Sequence, residues 1–133
     1  MIGLVVATHG NLGGELLASA QMIIGPVRNA RAVSINQDSS LEDIRDAITA
    51  AIAEVGTDDK GVIIVTDMFG GTPANVSMTF LQPQAVEVLT GVNLPMLLKF
   101  FNIQENLGLD DSAAILKSYG QQSIALASEY LQR

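Results

Sequence analysis

Apolar and polar positions follow one another along the chain in two rhythms. Residues 2–7, Ile-Gly-Leu-Val-Val-Ala, form an unbroken apolar run rich in branched side chains, the pattern of a strand covered on both faces. Leu16, Leu17, Ala20, Ile23 and Ile24 then recur at helical spacing, and Gly25-Pro26 ends that segment. Residues 32–35 read as a short strand. Ser39 and Glu42 stand at capping-box spacing, ahead of a stripe of Leu41, Ile44, Ile48, Ile52 and Val55 that Gly56 closes. Residues 61–66, Gly-Val-Ile-Ile-Val-Thr, are a second fully apolar strand, followed by a glycine-bearing loop over 67–72. Thr72 reads as an N-cap with Pro73 at the first helical position, and that helix is predicted to reach about Leu81. Residues 85–89 are the fourth strand. Gly91-Val92-Asn93 turns the chain, and Pro95 opens a helix predicted through Gln104. A further helix is predicted over 110–119. Gly120 reads as its stop, and 122–127 as a strand, although the small alanines there also fit continued helix.

Strand and helix alternating in this way imply a parallel sheet with right-handed crossovers. The expected fold is α/β: a doubly wound, mostly parallel sheet of four strands plus a C-terminal edge strand, with helices on both faces. In such sheets ligands bind beyond the carboxyl ends of the strands, where strand order reverses.

Composition narrows the function. A chain of 133 residues, 48% hydrophobic and 16% charged, is one folded domain rather than a disordered segment. Seven basic residues against fourteen acidic ones leave a net charge of −7, which repels phosphate backbones and anionic lipid. Nucleic-acid partners and direct membrane contact are therefore not expected. Without cysteine there is no disulfide framework, thiolate metal site or cysteine nucleophile. A single histidine also excludes a His-rich metal cluster, so neither metal nor cofactor is expected. No apolar stretch reaches the roughly 18 residues of a membrane helix, and the N-terminal run has no basic leader. A cytoplasmic location is expected.

The one histidine, His9, stands at the end of the first strand, and Asp67 at the end of the third. If those strands are neighbours, the two side chains meet at the point where strand order reverses. Alone, each has a plain structural reading: a turn histidine, a loop carboxylate capping the next helix, a tight glycine turn. Together they describe chemistry. A carboxylate accepting from one ring nitrogen fixes the imidazole tautomer, leaves the other nitrogen free to attack, and stabilises positive charge on the ring. Gly70 and Gly71 let a loop aim backbone N–H groups at one spot, and Thr72 adds a hydroxyl at a helix start, where negative charge is favoured. The set describes a histidine that accepts a phosphoryl group. Nucleotide-binding glycine fingerprints and a nucleophile-elbow serine are absent from the sequence.

The chain resembles the mannose-family IIA domain of the bacterial phosphoenolpyruvate:sugar phosphotransferase system. The matching segments are Ala7-Thr8-His9-Gly10; Asp67 with Gly70-Gly71-Thr72-Pro73 and Asn75; and Gly91-Val92-Asn93-Leu94-Pro95-Met96-Leu97. The resemblance covers nearly the whole chain, so residues 1–133 are expected to be a single domain of that type. It implies a phosphotransferase in which the phosphocarrier HPr phosphorylates His9 and a IIB component receives the group for sugar uptake, touching the membrane only through the permease. Asp67 takes the orienting role, and Gly70, Gly71 and Thr72 the phosphate-binding role. Phe69, Pro95 and Met96 are expected at the partner surface, and a homodimer is implied through exchange of the C-terminal strand. Family members often carry Trp in place of Phe69 and Ser in place of Thr72. A regulatory domain read by its phosphorylation state, and a dihydroxyacetone-kinase phosphotransfer subunit, remain the alternatives.

Overall fold

In the computed structural model, which describes residues 1–131, four parallel strands form one sheet in the order β2-β1-β3-β4. The strands are β1 (Gly3–His9), β2 (Ala30–Ile35), β3 (Val62–Thr66) and β4 (Val86–Thr90). The helices are α1 (Leu12–Ile24), α2 (Leu41–Val55), α3 (Thr72–Met78), α4 (Leu94–Phe100), α5 (Leu109–Gln122) and α6 (Ala127–Tyr130). The strand order reverses between β1 and β3, as the doubly wound reading requires.

The period of two along β1 divides the core. Leu4 and Val6 pack with Leu17, Ile63, Val65, Met96, Leu97, Phe100 and Leu116 on the side of α1, α4 and α5. Val5 and Ala7 pack with Val33, Ile35, Ile44, Ile48, Ile64 and Val76 on the side of α2 and α3. Every residue of β3 is buried, which is why that strand reads as a continuous apolar run. Burying each of its Ile and Val side chains stabilises the fold by about 1.5–3 kcal/mol. On α2, Ile44, Ile48, Ala51 and Val55 form the buried stripe.

Several local expectations need correction. Helix α3 ends at Met78 rather than near Leu81, α4 ends at Phe100 rather than Gln104, and the N-cap of α3 is Gly71 rather than Thr72. The N-cap of α2 is Ser40, whose side chain accepts from Asp43 N at 3.0 Å, while Ser39 Oγ accepts from Asn36 N at 3.1 Å in the preceding turn. Gly120 does not stop a helix: α5 runs through it to Gln122. A Cβ at Gly120 would stand 2.9 Å from Met96 Cε, so the glycine allows α5 to press against α4. The expected edge strand over 122–127 is the end of α5 followed by a short exposed non-helical stretch, and the described residues contain no fifth strand. None of the described helices is long and apolar enough to cross a membrane.

Candidate active site

Thr8 and Thr66 are fully buried near the carboxyl ends of the adjacent strands β1 and β3. Each hydroxyl lies 3.5 Å from the carbonyl two residues on, Gly10 O and Met68 O respectively. Thr8 Oγ1 also accepts from Gly13 N at 2.8 Å, tying the first turn of α1 to the end of β1. His9 and Asp67 follow these threonines directly, so both emerge from a rigid base.

The two side chains meet as expected. His9 Nδ1 lies 2.7 Å from Asp67 Oδ2, and the backbone N of His9 donates to the same oxygen at 3.1 Å. Burial pushes the Asp67 carboxyl up, but the hydrogen bonds from the His9 ring and backbone and the charge of the ring outweigh it, holding the group below its ordinary 3.8. At neutral pH Asp67 is therefore an acceptor only. In the neutral imidazole Nδ1 then carries the proton and Nε2 keeps its lone pair. The His9 side chain is 53% exposed while that of Asp67 is 13% exposed. The histidine ring faces solvent, and the carboxylate bonded to it lies behind.

The loop between β3 and α3 returns to the same ring. Gly71, the N-cap of α3, passes so close that a Cβ there would stand 2.8 Å from His9 Cε1 and 3.2 Å from Nε2. Thr72 opens α3 and, with His9 and Gly10, lines an open cavity of about 430 Å³ whose far wall is Ile35, Asn36, Gln37, Ser39 and Ile44. The structure thus brings His9, Asp67, Gly71 and Thr72 together. Gly70 holds the turn with φ +89°, and Phe69 beside it is 71% exposed. Met96 does not belong to a partner surface: it is 4% exposed, in the core against Gly120. Pro95 is half-buried on a different groove, with Leu98, Tyr119 and Gln122.

Sequence reasoning passed over Asn36, Gln37 and Ser39. They follow β2, and the rule that pointed to the carboxyl ends of the other strands applies equally there.

Comparison with known proteins shows the family. The family described as "EIIA-man: PTS system fructose IIA component" matches residues 3–117. The fructose-specific EIIA component of the phosphotransferase system (PTS) of Bacillus subtilis (strain 168) is 31% identical over 134 residues, covering 100% of this chain and 91% of that protein. The mannose-specific EIIAB component of Escherichia coli (strain K12) is 28% identical over 125 residues; the match covers 92% of this chain but only 38% of that longer protein. The crystal structure of the phosphotransferase system component EIIA from Streptococcus agalactiae superposes with a TM-score of 0.86 at 26% identity, over 97% of this chain and 99% of that one. A family match across most of the chain, together with a relative 31% identical over the full length of this chain, establishes that this chain belongs to the IIA components of the bacterial sugar phosphotransferase system.

Proposed function

We propose that this chain carries a phosphoryl group, taken on His9 Nε2 from phospho-HPr and passed to a IIB component for sugar uptake. The observation that supports it most is the 2.7 Å pairing of His9 Nδ1 with Asp67 Oδ2, which leaves Nε2 as the open nitrogen. In the first transfer the Nε2 lone pair attacks phosphorus and the P–N bond to the donor histidine breaks. The electron pair of that bond returns to the donor imidazole. Positive charge grows on the His9 ring, and the Asp67 carboxylate stabilises it. The second transfer reverses these roles towards the IIB acceptor. Gly70, Gly71 and Thr72 border the seat for the phosphoryl oxygens. No residue is asked to abstract a proton, because Nε2 carries none.

The same reading assigns residues 1–133 to one domain acting in the cytoplasm, where HPr is met. Exposed Phe69, with Met68 beside it at 53% exposure, forms the apolar part of the rim that both partners must reach. The C-terminal stretch presents Ile124 and Leu126, 78% and 63% exposed, beside β4, which is an edge of the sheet. A homodimer in which each copy's stretch pairs with the other's β4 would cover both.

The test is incubation with Enzyme I, HPr and phosphoenolpyruvate, followed by intact mass measurement. Wild-type protein gains one phosphoryl group that is lost in acid and kept in alkali. His9→Ala, which removes a half-exposed side chain, folds and gains none. Phosphorylated His9→Ala would overturn the assignment.

A further inference from the structure

The loop of residues 67–71 bonds the imidazole of His9 through Asp67 and passes close to the ring again at Gly71. Asp67 opens the loop and holds Nδ1 at 2.7 Å. Gly71 closes it beside the adjoining Cε1–Nε2 edge of the ring, where a Cβ would stand 2.8 Å from Cε1 and 3.2 Å from Nε2. The backbone at Gly71 is extended, with φ −95° and ψ 171°, a conformation open to any residue. Nothing in the chain's own path demands glycine there. At Gly70 the reverse holds: φ is +89°, and a Cβ would meet nothing within 4 Å. One glycine serves the turn and the other serves the ring.

Resting on the phosphoryl-carrier reading, we propose that Gly71 is a positioning residue for the transfer. Having no side chain, it lets the loop close on the Cε1–Nε2 edge, so that one loop fixes both the rotamer of His9 and the direction of its open nitrogen. Asp67 alone leaves the ring free to swing about a single hydrogen bond. Gly71 supplies the second point of the hold. A methyl group at 71 must push the ring away, since a Cβ at 2.8 Å lies well inside the ordinary contact range that begins at 3.4 Å. The push stretches or breaks the Nδ1 bond and turns Nε2 off the line of attack. Misplacement by a sizeable fraction of an ångström lowers such rates by roughly 10- to 100-fold.

The experiment uses the full chain with Gly71→Ala and Gly71→Ser. Serine is a better helix N-cap than glycine, so the second variant adds the same Cβ while favouring α3. Gly14→Ala, in α1 where a Cβ meets nothing within 4 Å, is the control and keeps the wild-type rate. Transfer is followed against phospho-HPr concentration, and the ring nitrogens of His9 are read by ¹⁵N NMR in the unphosphorylated protein. Both variants melt cooperatively. Their kcat falls roughly 10- to 100-fold with KM held, and the two ring resonances move towards each other as the tautomers begin to exchange. Wild-type rates with wild-type ring resonances in both variants would overturn the proposal. So would a lost rate that comes only with a lost melting transition in both, which would make Gly71 merely structural. If the wild-type protein itself takes no phosphate, the carrier reading fails, and the ring resonances still decide whether Gly71 positions His9.

Discussion

Replacing Asp67 by Asn keeps the shape of the side chain and removes its symmetry as an acceptor. Oδ2 accepts two N–H groups, from the backbone and the ring of His9, while Oδ1 is buried without a partner among the described residues. Asparagine must put its oxygen at one of these positions and its amino group at the other. With oxygen at the Oδ2 position, both bonds to His9 survive in neutral form, but a buried NH₂ then faces no acceptor. With nitrogen there, it opposes the backbone N–H and drives the ring proton to Nε2, where no lone pair remains to attack. Hydrogen bonds to a charged partner are worth about 1.5–3 kcal/mol each. Losing one such interaction as charge grows on the ring slows transfer by roughly 10- to 150-fold. The 53% exposure of the His9 side chain favours the lower half of that range, because water shares the charge. Rapid-quench transfer from phospho-HPr, with donor concentration varied, separates the effects: kcat falls and KM holds. An Asp67→Asn protein with the wild-type kcat, or one whose loss lies wholly in KM, would refute the argument.

The same carboxylate links the fold to pH. Because its folded pKa lies below the ordinary 3.8, its contribution is whole above that value and disappears as pH falls through the lower folded one. The stability gap between wild type and Asp67→Asn, read by urea titration, narrows as pH falls below about 4; a gap that stays constant there would contradict this. Phe69→Ala should raise KM for both protein partners while leaving the acid lability of the phosphohistidine unchanged. Added salt should slow association with a donor that is basic around its own histidine, and unchanged KM values would remove Phe69 from the docking rim. Truncation after Ser123, which keeps α5 whole, should yield aggregating or unstable protein. A stable, active monomer by light scattering would defeat the exchanged dimer.

Much of the scaffold was legible because it depends on patterns of two and of 3.6. Residues 2–7 and 61–66 announced strands buried on both faces, and the Ile44–Ile48–Val55 stripe announced α2. The site was legible for a related reason: parallel strands send their last residues to one rim, so His9 and Asp67 needed only adjacent strands to meet. What failed were positions where a residue's usual role gave way to packing. Gly120 carries the signature of a helix stop, yet its missing side chain seats Met96, a contact that local sequence does not encode. Met96 was expected at the partner surface, but it is buried against Gly120 of α5. Gly71 looked like one half of a flexible pair, and only the three-dimensional path of its loop distinguishes it from Gly70.

The amide of His9 is bonded to a side chain where its neighbours are bonded to strands. The β1–β3 pairing ends at Ala7 and Thr66, and the carboxylate of Asp67 supplies the next rung. Exchange of that one proton with solvent therefore does not report the opening of the sheet. It reports whether Asp67 is in place and ionised. Amides deeper in β1 keep the slow exchange of the core when the loop loosens, while this one speeds up. A single hydrogen–deuterium measurement at one residue would thus follow the state of the orienting carboxylate through a full cycle of phosphorylation, with no label added to the protein.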